Sequence, residues 1–226
     1  MVGDGALDGN PQNSTSSFRG TPFDVPIIIQ TYIVGATCGR PPSIQTYIWN
    51  IMQEFILIRP TSEYATQIAE YRQEFLDAGD SMDGCGPLRN IENPEEYIKV
   101  SIDWEVPEKV PYNRVPATQY LLIRKSDNRL VGMIQVRHCF NDYLEKYAGH
   151  IGYSVRPSER CKGYAKKMLK MALPFCREIG LDKVLIACEE HNIGSEKAII
   201  ANGGVYESTV CDPSDGENLK RFWITL

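Results

Sequence analysis

A polar loop between a strand pattern and a helix pattern carries residue types that could bind an anion. Residues 150–155 favour a strand, Pro157 ends it, and a helix pattern begins near Lys162. The first N–H groups of a helix have no partner within the helix, so they can hold an anion. Arg160 and Lys162 add positive charge, and Gly163 lets the backbone approach a ligand closely. The spacing therefore predicts a phosphate-binding loop.

The helix that follows this loop is amphipathic. Its apolar stripe consists of Ala165, Met168, Leu169, Ala172, Phe175, Cys176 and Ile179. Lys166, Lys167 and Lys170 lie on the other face, and Gly180 ends the helix. We expect the stripe to face the core and the lysines to be solvated.

Composition restricts the class of protein. A chain of 226 residues with 42% hydrophobic and 23% charged residues can form one good core. No apolar run is long enough to cross a bilayer, and a net charge of −5 argues against a general nucleic-acid-binding protein. The first charges, Asp4 and Asp8, do not form the basic segment of a secretory signal. These observations favour a cytoplasmic protein that binds neither membranes nor nucleic acid.

The seven cysteines predict neither a disulfide framework nor a metal site. Their number is odd, and no two of them form a C-x-x-C pair. We expect most of them to be small buried residues in a reducing compartment.

The chain divides by composition near residue 53. Residues 1–53 are rich in Gly, Pro, Ser, Thr and Asn, and we expect a poorly structured extension, with an ordered regulatory arm as the alternative. Two patches, 27–34 and 47–52, could form short strands. A strand pattern follows Met52 directly, so we expect the functional polypeptide to begin near Met52 and residues 54–226 to form one domain.

The pattern of the second part alternates between helices and strands. Helices are expected after Ser62, at Asn93, near Lys162 and after Ser195. Strands are expected at 54–59, 118–124, 130–139, 150–155, 183–188, 205–210 and 218–225. Three successive strands without helices between them predict an antiparallel meander.

The loop and its flanking elements resemble a known family. The spacing Arg160-x-x-Gly163-x-Ala165 after Val155-x-Pro157 is similar to the acyl-CoA loop of the GNAT superfamily of N-acetyltransferases, Arg/Gln-x-x-Gly-x-Gly/Ala. The family usually carries glycine at the position of Cys161. The order of elements over residues 54–226 follows the family as well.

The resemblance implies an α/β (α+β) fold, the GNAT fold. Its central sheet is mixed and mostly antiparallel, with about seven strands and flanking helices. Strands 150–155 and 183–188 would be a parallel pair that splays apart to receive the pantetheine arm of acetyl-CoA. No metal is expected.

The resemblance also assigns coenzyme contacts. Backbone groups of Tyr153 and Val155 would bind pantetheine. The diphosphate would be bound by Arg160, Cys161, Lys162, Gly163, Tyr164 and Ala165. Asn192 matches an asparagine of the family, and Ser195 lies nearby. The family's tyrosine, which often contacts the thiol, is replaced by Ile199.

The resemblance suggests several candidates for the acceptor-binding and catalytic residues. Two loops that border the acceptor site in the family contain Asp83 and Glu105, which we expect to contact the amine. His150 occupies a position where relatives often carry a glutamate base, although a packed histidine is the equal alternative. Glu189 is a second candidate base. Tyr206 or the Ser195 hydroxyl could protonate the leaving thiolate.

The expected function is direct transfer of acetyl from acetyl-CoA to a primary amine of a small molecule. Cys161 lacks a His/Asp partner in the sequence, which disfavours a covalent intermediate. The alternatives are acetylation of a protein N-terminus or lysine, and a CoA-binding sensor without turnover. The family resemblance allows a homodimer.

Overall fold

The computed structural model describes residues 54–226, and the predictions for residues 1–53 lie outside the described residues. The described part contains seven strands and four α-helices. The strands are β1 (Phe55–Ile58), β2 (Ala117–Arg124), β3 (Arg129–Arg137), β4 (Ile151–Val155), β5 (Lys183–Glu189), β6 (Val205–Cys211) and β7 (Asn218–Thr225). The helices are α1 (Ala65–Asp77), α2 (Pro94–Asp103), α3 (Tyr164–Glu178) and α4 (Ile193–Ile200). None of these helices combines the length and the apolar character that a membrane crossing requires.

The strands form two antiparallel sheets that meet at β4 and β5. One sheet has the order β1-β2-β3-β4 and the other the order β5-β7-β6. A single bridge between Gly149 and Ile186 and the His150 N–H bond to the Leu185 carbonyl, 2.7 Å, join the two sheets. Beyond this junction β4 and β5 separate. The predicted α/β fold with seven mostly antiparallel strands is confirmed. The strands form two antiparallel sheets rather than one mixed sheet, and the bridge at the junction is antiparallel, so residues 54–226 show no parallel pairing of β4 with β5.

The first sheet is covered on both faces, which explains its almost continuous apolar strands. Leu122 packs in the cluster formed with α3, β5 and β7. Its neighbours Leu121 and Ile123 point the other way, toward α1 and α2. A strand buried on both faces must be apolar at every position rather than at alternate ones.

Local signals set the helix boundaries. The Asn93 side chain accepts hydrogen bonds from the N–H groups of Glu95 and Glu96, as the sequence predicts for an N-cap. Gly180 adopts φ +85° just after α3. A π-helical turn at Leu144–Ala148 was not expected from the sequence.

The π-helical turn ends at a glycine that allows the two sheets to meet. Gly149 has φ +69°, and a Cβ there would lie 2.3 Å from the Leu185 carbonyl oxygen. Only glycine fits such a close backbone approach.

Candidate functional site

A cleft with a volume of ≈ 910 Å³ opens where β4 and β5 separate. Its lining includes most of β4, the C-terminal residues of β5, the first turn of α3 and the start of α4. A second chamber of ≈ 610 Å³ adjoins it. The two cavities share Asp83, Gly84, Arg137, Tyr143 and Ala148.

One end of the cleft is lined by free backbone N–H groups. Lys167 donates the first helical bond of α3, to the Gly163 carbonyl, 3.2 Å. The six N–H groups of residues 161–166 therefore precede the helical ladder and have no acceptor among residues 54–226. Cys161 and Gly163 both have positive φ, 61° and 78°, which turns the chain into the helix. We call residues 160–166 the amide loop, and its geometry suits a phosphate group.

The basic side chains of the amide loop already have partners. Arg160 pairs with Asp80 at 2.6 Å, and its guanidinium carbon lies 5.5 Å from the centre of the Phe75 ring. Lys162 pairs with Glu159 at 2.7 Å and does not line the cleft. The free donors of the amide loop are therefore its backbone N–H groups rather than these two paired side chains.

A buried carboxylate anchors the amide loop. Glu159 is 5% exposed and accepts a hydrogen bond from Arg124 Nη1 at 2.7 Å. Arg124 and then Lys162 hold the pKa of Glu159 near 2, against a smaller opposing effect of burial. Sequence reasoning missed this residue, although Glu159 is the only acidic residue in the segment 156–162, whose other charged residues are basic.

The strand β4 presents backbone groups to the cleft. Arg156 donates its N–H to the Val131 carbonyl of β3, 3.0 Å. Alternate residues of a strand direct their backbone groups to opposite sides, so those of Tyr153 and Val155 face away from β3. Arg160 Nε donates to the Val155 carbonyl at 3.2 Å. The backbone groups of Tyr153 and Val155 are therefore not used in pairing with β3, and the predicted pantetheine contacts stay a prediction.

Two hydroxyl groups meet deeper in the cleft. The Tyr153 phenol lies 2.8 Å from Ser195 Oγ, and burial raises the pKa of Tyr153. Asn192 accepts a hydrogen bond from the Ser195 N–H, 3.0 Å, and so caps α4. All three residues line the cleft. Sequence reasoning considered only the backbone of Tyr153, because the direction of its side chain depends on where α4 packs.

Neither the position of the family's tyrosine, Ile199, nor its suggested substitute Tyr206 lines the cleft. Ile199 is fully buried in the core. Tyr206 is 55% exposed on β6, where its hydroxyl bonds Thr209 Oγ1 at 2.9 Å, and it does not line the cleft. The prediction that Tyr206 protonates the thiolate is therefore not supported by its position.

The loop of residues 80–86 is fixed against β4. Gly84 has φ +69°, and a Cβ there would lie 2.1 Å from the Gly152 carbonyl oxygen. Gln119 Nε2 donates to the Gly84 carbonyl at 2.8 Å. These contacts place Asp83 in the lining shared by the cleft and the second chamber.

The two other acidic candidates lie in different places. Glu189 lines the cleft at the end of β5, where burial and then the charge of Asp83 raise the pKa of its carboxyl group. Its Oε2 lies 3.2 Å from His191 Nε2. Glu105 pairs with Arg59 at 2.7 Å and lines neither cavity, so its position does not support the predicted acceptor contact.

His150 lies behind the cleft rather than in it. Its Nδ1 accepts a hydrogen bond from the Leu185 N–H, 3.0 Å, and its ring centre lies 3.8 Å from that of Phe140. Burial and then the charge of Arg137 lower the pKa of His150 to about 4. The ring is therefore neutral near pH 7 and its Nδ1 is occupied. This position argues against His150 as the general base and favours the packing alternative.

Within residues 54–226, no cluster of three or more His, Cys, Asp or Glu side chains has the geometry to hold a metal ion. The polar groups of the cleft are instead backbone amides, hydroxyl groups, carboxylates and basic side chains, which include Arg137 and Arg160.

The sequence matches the acetyltransferase (GNAT) family over residues 86–199, and the chain belongs to this family. A comparison with curated proteins found no match. The family supports an acyltransferase activity.

Solved structures of similar fold include several acetyltransferases. The ribosomal-protein-S5-alanine acetyltransferase of Vibrio fischeri has 17% identity and a TM-score of 0.57, covering 77% of this chain and 94% of that one. The microcin C7 self-immunity acetyltransferase, solved with acetyl-CoA and AMP, has 16% identity and a TM-score of 0.58, covering 78% and 94%. A Salmonella typhimurium acetyltransferase that modifies the N-terminal serine of ribosomal protein L7/L12 has 14% identity and a TM-score of 0.56, covering 78% and 97%. At these identities the likeness concerns the fold.

Proposed function

We propose that the protein transfers the acetyl group of acetyl-CoA directly to a primary amine of a small molecule. The amide loop at the start of α3 carries this proposal, because five of its six free N–H groups belong to residues that line a cleft between two separated strands. A coenzyme diphosphate on the amide loop would direct its pantetheine arm along β4, past the backbone groups of Tyr153 and Val155. The thioester then lies near the second chamber, which receives the amine.

Glu189 is the best placed general base. The attacking amine must lose a proton to become a nucleophile, and a base is most effective when its pKa is close to the working pH. The pKa of Glu189 is shifted upward in that direction. His191, next to Glu189, is 71% exposed and can pass the proton to solvent.

The hydroxyl pair of Tyr153 and Ser195 is placed to protonate the leaving thiolate. As the C–S bond breaks, the sulfur gains negative charge and needs a proton donor. The Tyr153 phenol can give its proton to sulfur, and it is oriented by Ser195 at 2.8 Å. This pair takes the role for which the family uses the tyrosine that Ile199 replaces.

Direct transfer is favoured over a covalent enzyme intermediate. Cys188 lines the cleft, but burial raises the pKa of its thiol to about 11, so the nucleophilic thiolate is scarce near pH 7. Holding an amine and a thioester in attacking geometry can itself contribute about 7–11 kcal/mol. The cleft and chamber supply that geometry.

A thiol-release assay with acetyl-CoA and an amine panel tests the proposal. The variant Gly163→Val places a β-branched residue at φ +78° in the amide loop, and Gly180→Val is its control at φ +85° beyond the other end of α3. Both sites are free of neighbours within 4 Å, so similar losses of stability are expected. We expect Gly163→Val alone to raise the KM for acetyl-CoA by roughly tenfold or more. Equal KM values for both variants would contradict the role of the amide loop, and binding of CoA without thiol release from any amine would identify a sensor.

A further inference from the structure

Arg137 lies at the end of the cleft far from the amide loop. It is the last residue of β3 and lines both the cleft and the second chamber. The strand beside it, β4, runs from Ile151 near Arg137 to Val155 near the amide loop. Four residue steps along a strand span about 13 Å. Arg137 therefore belongs to the acceptor side, and the diphosphate does not account for it.

Part of the Arg137 guanidinium has no partner. Its Nη1 donates to the carbonyls of Ala148 and Gly149, at 3.2 and 3.0 Å. Its Nε and Nη2 have no acceptor among residues 54–226, and no carboxylate of that part of the chain forms an ion pair with it. The edge formed by Nε and Nη2 is one of the two edges that bind a carboxylate with two parallel hydrogen bonds.

The surroundings penalise this unpaired charge. Burial lowers the pKa of Arg137 to about 10, the charge of Asp83 opposes the effect, and Arg114 adds to it. Arg160 lines the same cleft, but its charge is compensated by an ion pair with Asp80 at 2.6 Å. Arg137 is half-buried in the cleft wall, where a cation without a counter-ion is less favourable than in bulk water, and an incoming anion would relieve that cost.

Asp83 provides the opposite charge in the same lining. It accepts a hydrogen bond from Ser81 Oγ at 2.8 Å and leaves a gap to Arg137 that is too wide for an ion pair. An ammonium group fits beside Asp83 while an acidic group binds Arg137. A ligand with both charges would complement the two residues together.

We propose that the acceptor is an amino acid or a similar small zwitterion, whose carboxylate is bound by Arg137 and whose amine lies near Asp83. This inference rests on the proposed function and adds the class of substrate. An arginine is well suited to bind the carboxylate of such a ligand, because its planar guanidinium can donate two parallel hydrogen bonds to a carboxylate, whereas a lysine offers only a point charge. Before attack the amine passes its proton to Glu189, the C–S bond of the thioester breaks as the amide forms, and the products are the N-acetyl amino acid, which keeps only its carboxylate charge, and free CoA.

The test compares L-amino acids with their carboxamides, which keep the side chain and replace the carboxylate. With the wild-type protein we expect kcat/KM for the preferred acids to exceed that for their carboxamides at least tenfold, although the amine of a carboxamide is more often neutral. Arg137→Gln is expected to remove at least tenfold from the acids and to change the carboxamides less than about twofold. Arg177→Gln, an exposed arginine of α3 that lines neither cavity, is the control and is expected to change both less than about twofold.

A binding measurement keeps the test decisive if Arg137→Gln does not fold or if turnover is absent. Calorimetry with CoA-saturated wild-type protein compares N-acetyl amino acids with their carboxamides, and we expect the acids to bind at least tenfold more tightly. Equal or tighter binding of the carboxamides overturns the inference. Thiol release from carboxamides, other amines or peptides but not from amino acids also overturns it and leaves the proposed function intact. Tight binding of the acids without thiol release from any amine overturns the proposed function alone.

Discussion

The two ends of the cleft differ in how they handle charge. At the amide loop the side-chain charges are already paired, Arg160 with Asp80 and Lys162 with Glu159, and only backbone N–H groups are free. At the acceptor end Arg137 lies in the lining without an ion pair among residues 54–226. A backbone site can bind the same coenzyme whatever the side chains are. Unpaired side chains can select one acceptor from many amines.

The acceptor end depends on a single close backbone contact, and breaking it should have the largest effect. Gly84→Ala would place a Cβ 2.1 Å from the Gly152 carbonyl, in addition to a positive φ. We expect a loss of about 3 kcal/mol or more in unfolding free energy, measured by urea denaturation. Gly79→Ala is the control, since it has φ +62° but no neighbour within 4 Å, and should lose about 1 kcal/mol. Equal losses in both variants would contradict the close contact.

The junction between the two sheets should give a pH-dependent effect of about 3 kcal/mol. The pKa of His150 is about 4 in the folded protein and near 6.5 when unfolded, so the unfolded state binds the proton first as the pH falls. Stability from His150 is complete above pH 6.5 and is lost between pH 6.5 and 4. His150→Asn keeps an acceptor for the Leu185 N–H and should flatten this part of the stability profile.

The same variant tests catalysis. Activity per folded molecule of His150→Asn should stay within a few-fold of the wild type, because the ring does not line the cleft. A fall of about 100-fold or more, with folding intact, would restore His150 as the general base.

The coenzyme end should respond to loss of its buried carboxylate. Glu159→Gln removes the buried carboxylate that accepts the Arg124 Nη1 hydrogen bond at 2.7 Å, and we expect a loss of about 2 kcal/mol in unfolding free energy together with a higher KM for acetyl-CoA. Asp127→Asn is the control, because Asp127 also contacts Arg124 but is 44% exposed, and a clearly smaller loss of unfolding free energy is expected. Similar losses, or an unchanged KM in Glu159→Gln, would contradict the anchoring role.

The smallest effect concerns the one residue of the amide loop that departs from the family. Cys161 has φ 61°, a conformation that glycine adopts without strain. Cys161→Gly is expected to gain up to about 1 kcal/mol, by thermal or urea unfolding, whereas Cys139→Gly should lose up to about 1 kcal/mol. A loss in Cys161→Gly as large as that in Cys139→Gly would show that the positive φ carries no strain.

The coenzyme end could be predicted from sequence because its information is local. A strand, a short loop and a helix follow one another directly over residues 151–178, so the spacing of Arg160 and Gly163 specifies which amides are free. The acceptor end could not be predicted in this way, because it brings together the 80–86 loop, Arg137 and Glu189, which are distant from one another in sequence. The position of Glu105 likewise depends on its ion pair with Arg59, which is distant in sequence and cannot be predicted from a local pattern. His150 matched a family position, but its burial follows from the packing of Phe140 and Leu185.

The most direct test of this account is a crystal structure of the protein with CoA. We expect the diphosphate oxygens to lie about 2.7–3.2 Å from backbone N–H groups of residues 161–166, with the pantetheine arm between β4 and β5. A diphosphate bound elsewhere, or an empty cleft at a CoA concentration that saturates turnover, would contradict it.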